Sequence, residues 1–299
     1  MKALLLGGRG AVGTVVRREL ERSGHSVTVA SRSSETPVDL HGDLDTLSES
    51  AIDHDVVINT SGVERADLAT AVGDTPLVDI SATGSYLAHL RRSAVGLVVL
   101  GAGLAPGLST LLVSDVVDVP GDAVDVFVML GAGEKHGAAA VEWTEGLIGS
   151  DVFSPPEPGR VINLRESVRA TGPDGVKRRY LRADFPDHVL LSGDGGPTVR
   201  TYFTLTSAPM TSSLALVARI PALRPTLRWV PPIGSDRWHV TARNRRTGTE
   251  RSASGAGQSE ATGVLTALAA ERAAVHSGHG AVTMADVMTL PEATAALNA

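Results

Sequence analysis

Cysteine is absent from all 299 residues, which excludes disulfides, thiolate catalysis and Cys-ligated zinc. No apolar stretch reaches membrane-spanning length, and the apolar run at the N-terminus is short and ends in glycines, unlike a signal peptide. A soluble, cytoplasmic protein with no membrane partner is therefore expected. Lysine occurs only at Lys2, Lys135 and Lys177, so arginine carries nearly all the basic charge, a habit of GC-rich genomes. The formal net charge is −6, with no long basic face. Arg243, Arg245, Arg246 and Arg251 cluster but read as a solvated hairpin, so nucleic acid is not an expected partner. His188, His239, His276 and His279 show no metal-ligand arrangement with carboxylates, and no metal is expected.

What is present begins at once. Lys2-Ala3-Leu4-Leu5-Leu6 reads as a short apolar strand, Gly7-Gly8-Arg9-Gly10-Ala11-Val12-Gly13 as a glycine-rich turn, and Thr14 to Ser23 as a helix. A strand feeding such a turn into a helix is the phosphate-binding start of a dinucleotide fold. Gly8 is expected to permit the tight turn, Gly10 to let backbone approach a pyrophosphate, and Gly13 to let helix pack on strand. Gly24-His25 and a second strand, Ser26 to Ala30, complete the βαβ order at the usual spacing. NAD binders carry an acidic side chain at the end of that strand for the ribose 2′-hydroxyl. This chain has Ser31-Arg32-Ser33-Ser34 instead. A guanidinium flanked by hydroxyls suits a 2′-phosphate, and Arg9 is placed to close over the same group, so NADP(H) is the expected cofactor.

The alternation continues. Asp43 to Ala51 reads as a helix, Asp55 to Asn59 as a buried strand ending in Thr60-Ser61-Gly62, and Arg65 to Val72 as a helix. Pro76 to Ser81 is the next strand, Ser85 to Ser93 a helix and Gly96 to Leu100 a fifth strand. Five strands alternating with helices specify a doubly wound parallel sheet of the Rossmann type. Residues at the carboxyl ends of such strands line the cofactor crevice. The expected cofactor contacts are therefore Gly8, Arg9, Gly10, Ala11, Val12, Gly13, Ser31, Arg32, Ser33, Asn59, Thr60, Ser61, Gly62, Ser81, Gly101, Ala102 and Pro106.

The middle of the chain has a different texture. Ala123 to Met129, Val161 to Ala170, Val176 to Ala183, Thr198 to Leu205 and Trp238 to Arg243 read as strands, with helices at 137–148 and 212–220. Strands in succession predict a second α+β domain on a mainly antiparallel sheet, whose leftover face suits a homodimer. Prolines at 155–158 and 221–232 mark ordered loops. Glu260 to Ser277 is a strong helix candidate, and 280–299 reads as a loop plus a short amphipathic helix.

The chain resembles the saccharopine dehydrogenase-like NADP-dependent oxidoreductases. The resemblance rests on Gly7 to Gly13, on Val78-Asp79-Ile80-Ser81 with Tyr86-Leu87, on the run Gly101-Ala102-Gly103-Leu104-Ala105-Pro106-Gly107-Leu108-Ser109, and on Gly257 to Gly263. It implies that the C-terminal helix returns to the nucleotide domain, giving 1–120 plus 257–299 as one domain and 121–256 as the other. It also implies reduction of an imine formed between an amine and a carbonyl compound, or the reverse.

The residues bear on that chemistry independently. Tyr86, Tyr180 and Tyr202 are followed four positions on by Leu90, Asp184 and Thr206, so the Tyr–Lys relay of short-chain carbonyl reductases is missing. An iminium ion needs such a relay less, because it already carries the proton. Candidates for handling the small-molecule substrate are His136, in the loop Glu134-Lys135-His136, and Asp79 and Tyr86 at strand and helix ends. Asp79 reads equally well as a helix cap. A carbonyl or enone reductase and a non-catalytic NADP-binding sensor are the alternative readings.

Overall fold

The computed structural model describes residues 1–133, 138–220, 222–223 and 234–299. The chain divides into two compact units, Met1–Leu111 with Ser259–Ala299, and Leu112–Gln258.

The first unit opens with β1 (Lys2–Leu6), α1 (Ala11–Arg22), β2 (Ser26–Ser31), β3 (Thr36–Pro37), α2 (Asp45–Ile52) and β4 (Val56–Asn59). It continues through α3 (Leu68–Ala71), β5 (Leu77–Asp79), α4 (Gly84–Ser93), β6 (Leu97–Leu100) and α5 (Leu108–Val116). Leu4, Leu5, Val56, Val57, Ile58, Leu77 and Val78 are fully buried. Such continuous apolar runs mark strands covered by helices on both faces, which is how parallel sheets are stabilised. On α1, Val15, Val16 and Leu20 face inward, while Arg17 and Arg22 pair with Glu21 and Glu19 on the outside. The helix stops at Gly24, whose φ of +79° a side chain would resist.

The expected helix at 65–72 keeps only its last turn, α3. Arg65 explains the loss: its guanidinium donates to the carbonyls of Leu40 (3.0 Å) and Gly42 (2.6 Å) and pairs with Asp67 (2.6 Å). Those bonds hold the segment before α3 as a loop.

The second unit carries β7 (Ala123–Leu130), α6 (Ala138–Leu147), β8 (Ser167–Thr171), β9 (Lys177–Arg182), α7 (Asp187–Leu190), β10 (Thr198–Leu205), α8 (Ala208–Arg219), β11 (Arg237–Asn244) and β12 (Glu250–Ala256). Its sheet runs β12-β11-β7-β10-β9-β8. Among the described residues, only the β7–β10 pairing of this sheet is parallel. Val128, Phe203, Leu181 and Val240 share one face by register, and Phe185 packs on Phe203 with its ring centroid 6.0 Å away. On the opposite face Phe127 stacks on Tyr202 and meets Tyr180 edge-on. The expected strand at 161–170 survives only as β8. Leu164 sits at φ +64°, which interrupts an extended chain.

Two ionic knots brace this unit, the first of them buried. Arg182 is 1% exposed; it grips both oxygens of Glu157 (2.7 and 3.1 Å) and donates to the carbonyls of Ala183 and Thr201. Against the burial that raises it, Arg182 holds the Glu157 carboxyl below its ordinary value. The proline-rich loop around 155–158 is thereby pinned. The second knot takes in the arginine cluster, whose side chains stay about half exposed while pairing with acidic neighbours. Arg246 bonds Asp122 (2.8 Å) and Asp118 (2.8 Å), Arg251 pairs with Asp115 (2.5 Å) and Arg243 with Glu250 (3.5 Å). Asp122 also accepts from Asn244 Nδ2 and from the amides of Asp118 and Val119.

Hydrogen bonding from Arg246, followed by the two backbone amides, holds the Asp122 carboxyl well below the usual carboxylate range. A depressed folded-state value stabilises the fold above the unfolded aspartate value of about 3.9, and the benefit fades as pH falls below it. Asp122→Asn is therefore expected to lower Tm at pH 7, with the gap from the parent narrowing towards pH 3. Parallel melting curves that keep the same gap across that range would contradict the assignment.

The chain re-enters the first unit through α9 (Gln258–Ala273), β13 (Gly280–Val282), α10 (Met284–Val287) and α11 (Leu290–Leu297). β13 adds a seventh parallel strand where only a loop was expected, pairing with Leu97–Val99. The full order is β13-β6-β5-β4-β1-β2-β3, the doubly wound Rossmann arrangement with one strand appended. Gly263 of α9 lies against Val15 so closely that a Cβ there would reach 2.5 Å. Thr266 donates to the Ala102 carbonyl (2.7 Å). Capping boxes at Thr283–Asp286 and Thr289–Glu292 start α10 and α11. Among the described residues no helix is long and apolar enough to cross a membrane.

Candidate functional site

The strand order reverses between β1 and β4, and the carboxyl ends of the strands on either side carry most of the expected contact residues. The glycine turn leads α1 out of β1. Gly7, not Gly8, makes the sharp bend: its φ is +79°, and its Cα lies so near Thr60 and Ser61 that no Cβ fits. Gly8 instead packs under Val29 and Leu5. The Gly10 amide closes the turn on the Gly7 carbonyl at 2.9 Å, and a Cβ on Gly13 would collide with that same oxygen and with Gly8. Gly10 is different. A Cβ there meets only the Gly7 oxygen, at 3.3 Å, and otherwise open space.

Gly10 is also the N-cap of α1, with no side-chain cap and no acidic residue in the first turn. The amides of Ala11, Val12 and Gly13 thus begin the helix without a side-chain acceptor, an arrangement that favours an anion. At the end of β2, Arg32 and Ser33 are exposed, and Arg9 Nη1 reaches Ser33 Oγ at 3.3 Å. Ser31 Oγ is buried with no hydrogen-bond partner among the described residues. An orphaned hydroxyl beside two exposed guanidinium groups matches the needs of a phosphate-bearing ribose.

The ends of β4 and β5 are linked by a buried polar network. Asp79 is 0% exposed; its Oδ2 accepts from Asn59 Nδ2 (2.7 Å) and Tyr86 OH (2.8 Å), and its Oδ1 from the Ser81 amide (2.7 Å). Burial pushes the Asp79 carboxyl up, against the pull of these donors. Burial first, and then the Asp79 charge, push the Tyr86 phenol far above its ordinary value. Asn59 carries the network onward. Its Oδ1 accepts from the Ser61 amide (3.2 Å) and hydroxyl (2.6 Å), and its Nδ2 also donates to the Val63 carbonyl (3.2 Å). Thr60 bonds the Leu6 carbonyl through both amide and hydroxyl. The loop after β4 is therefore tied both to the glycine turn and to β5. Asp79 and Tyr86, read from the sequence as groups that hold substrate, are sealed inside this network rather than presented by it.

Gly101, Ala102 and Pro106 are buried, in a backbone knot where Gly103 accepts from Leu108 and donates to Pro106 across a cis Ala105–Pro106 bond. The Ala102 amide donates to the Asp79 carbonyl at 2.8 Å. His136 lies outside the described residues.

One residue at these strand ends was not singled out in the sequence. Glu64 follows the β4 loop, and Thr83, the residue before α4, is the neighbour that favours its ionised form. The side chain as a whole is exposed, but desolvation by the surrounding protein, with the Asp79 charge behind it, raises its carboxyl above the ordinary glutamate value. Nothing in the run Gly62-Val63-Glu64-Arg65 announces this, because the partners come from β5 and α4.

No known protein-family model matches the chain, and no curated protein matches it. Solved structures do. An engineered D-amino acid dehydrogenase bound to NADP+ aligns at 14% identity over 98% of this chain and 95% of that one, with a TM-score of 0.49. The DAP dehydrogenase of C. glutamicum in complex with DAP aligns at 13% identity over 98% and 95%, TM-score 0.49. A dipicolinate-bound dihydrodipicolinate reductase from Paenisporosarcina sp. TG-14 aligns at 12% identity over 96% and 99%, TM-score 0.40. The fold assignment for this chain rests on its own strand order.

Proposed function

We propose that the chain is an NADP(H)-dependent oxidoreductase of the saccharopine dehydrogenase-like type, reducing the C=N bond of an amino-acid-derived substrate. The observation that carries this reading is the uncapped start of α1 beneath the Gly7–Gly10 turn, beside Arg9, Arg32, Ser33 and the orphaned Ser31 hydroxyl at the end of β2. In it, the amides of Ala11, Val12 and Gly13 hold a pyrophosphate, and Arg9, Arg32 and Ser33 clamp a 2′-phosphate. Thr60, Ser61 and Gly62 line the ribose and nicotinamide side. When bound, the cofactor supplies hydride to the substrate carbon. The missing Tyr–Lys relay supports an imine over a carbonyl. The homodimer expected from the second sheet's leftover face stays part of this proposal.

The test is cofactor preference followed by turnover. Fluorescence titration is expected to give NADPH an affinity at least tenfold above that of NADH, about 1.4 kcal/mol, from one charge-assisted phosphate clamp. Arg32→Asp is expected to abolish or reverse the preference, since a carboxylate there repels the 2′-phosphate. Equal affinities for both cofactors in the parent protein would remove the NADP(H) assignment. NADPH oxidation with a panel of amine and keto-acid pairs then tests the reaction.

A further inference from the structure

We propose that Asp79 is the positioning residue for the nicotinamide half of the cofactor: from inside the sheet it sets the loop Thr60-Ser61-Gly62 on which that half rests. The inference rests on the NADP(H) reading above and deepens it by naming the group that shapes the seat.

The direction of the dinucleotide places the loop. Arg32 and Ser33 at the end of β2 hold the phosphorylated ribose in that reading, so beyond the pyrophosphate the rest of the cofactor runs the other way along the strand ends, over β1 towards β4. The loop after β4 borders the glycine turn there. A Cβ on Gly7 would come within 2.5 Å of Ser61 Cα, and one on Gly13 within 2.8 Å of the Thr60 hydroxyl. Gly62, next along the loop, is exposed at φ +77°. An iminium that arrives already protonated asks the protein chiefly to hold its carbon over the nicotinamide ring, so the seat of that ring is where fixed geometry counts most.

The loop takes its shape from Asn59 and, through it, from Asp79. The Asn59 amide is bonded on both sides: Nδ2 donates to Asp79 Oδ2 (2.7 Å) and the Val63 carbonyl (3.2 Å), and Oδ1 accepts from the Ser61 amide (3.2 Å) and hydroxyl (2.6 Å). The Val63 amide closes the loop on Ser61 Oγ at 3.1 Å. Turning that amide over would set Nδ2 against the Ser61 amide and leave the Val63 carbonyl facing an oxygen. Asp79 decides between the two orientations, because a carboxylate beside Asn59 accepts and does not donate. Asp79 is itself fixed, by Tyr86 OH on the same oxygen (2.8 Å) and by the Ser81 amide on the other (2.7 Å), and its carbonyl takes the Ala102 amide (2.8 Å). At 0% exposed it meets neither substrate nor cofactor and acts only through these bonds.

Comparing the affinities of NADPH and of its adenosine half tests this without turnover. Asp79→Asn keeps the size of the side chain but puts an NH2 group where the parent has an acceptor, so either the Ser81 amide or the Asn59 amide loses its partner. NADPH affinity is expected to fall about tenfold, the cost of one buried bond left unmade, while 2′,5′-ADP, which reaches only the glycine turn and the end of β2, binds within about twofold of the parent. If Asp79→Asn does not fold, Tyr86→Phe, which removes one donor from Asp79 Oδ2 and keeps the ring, should show the same split at about threefold. In the parent, backbone amide NMR should show Ser61 and Gly62 shifting when NADPH is added and unmoved by 2′,5′-ADP. Equal losses for both nucleotides, as a general loosening of the fold would give, or no loss for either, overturn the proposal, and so does a Gly62 amide that ignores NADPH. A parent that binds 2′,5′-ADP no better than 5′-ADP removes the NADP(H) reading and this inference with it. A parent that tells those two apart while the variants show no split removes this inference alone.

Discussion

Gly10→Val is expected to weaken NADPH binding by about 100-fold or more, about 2.7 kcal/mol, and to leave the fold nearly as stable as before. The two halves of this result have separate causes. The backbone at Gly10 has φ −73° and ψ 168°, a conformation that valine adopts without strain. The added Cβ presses only on the Gly7 oxygen, at 3.3 Å, so with the loss of a tolerated N-cap glycine the cost is about 1 kcal/mol. The side chain nevertheless fills the space in front of the α1 amides, where a pyrophosphate must come within hydrogen-bond reach of backbone. Gly13→Val is the control, because its Cβ collides with the Gly7 carbonyl and should damage folding itself. Isothermal titration and thermal melting of both variants separate the effects. Unchanged NADPH affinity in Gly10→Val would reduce the glycine run to a turn.

Arg182→Ala is expected to destabilise the protein by about 3–5 kcal/mol, read from the urea midpoint of the parent and variant. The size follows from what is left behind. Glu157 would remain in a half-buried site without its counter-ion, and the carbonyls of Ala183 and Thr201 would lose their donor. Arg182→Lys should recover only part of the loss, since an ammonium cannot bond both Glu157 oxygens and two carbonyls in one plane. Removing both charges, as Arg182→Met with Glu157→Leu, should recover more than the lysine does, because no lone charge then stays buried. A single Arg182→Ala variant within about 1 kcal/mol of the parent would show that the knot is dispensable.

Much of the first unit was legible because its signals are local. The apolar runs of β1, β4 and β6 and the glycine spacing after β1 each depend on residues within a few positions of one another, and each appears where periodicity places it. The misreadings have a common cause in contacts from far along the chain. Arg65 breaks the expected helix at 65–72 through carbonyls some 25 residues earlier. β13 looked like a loop because three residues with glycine carry no strand signal, and it is a strand only because β6 offers an open edge. β12 is polar and small-residued, and its partner β11 supplies the pairing.

The candidate site divides along the same line. By itself the sequence determined the doubly wound order, the glycine turn and the Ser-Arg-Ser run in place of an acidic residue, since each is set by steric or charge demands inside one short segment. Only the tertiary structure decided that Gly7 rather than Gly8 makes the bend, because the constraint is the approach of Thr60 and Ser61. It also decided that Asp79 and Tyr86 are sealed and Glu64 presented. Whether a carboxyl is buried, paired or left facing a buried like charge depends on which strand ends and helix starts meet around it, and those neighbours here come from β4, β5 and α4 together.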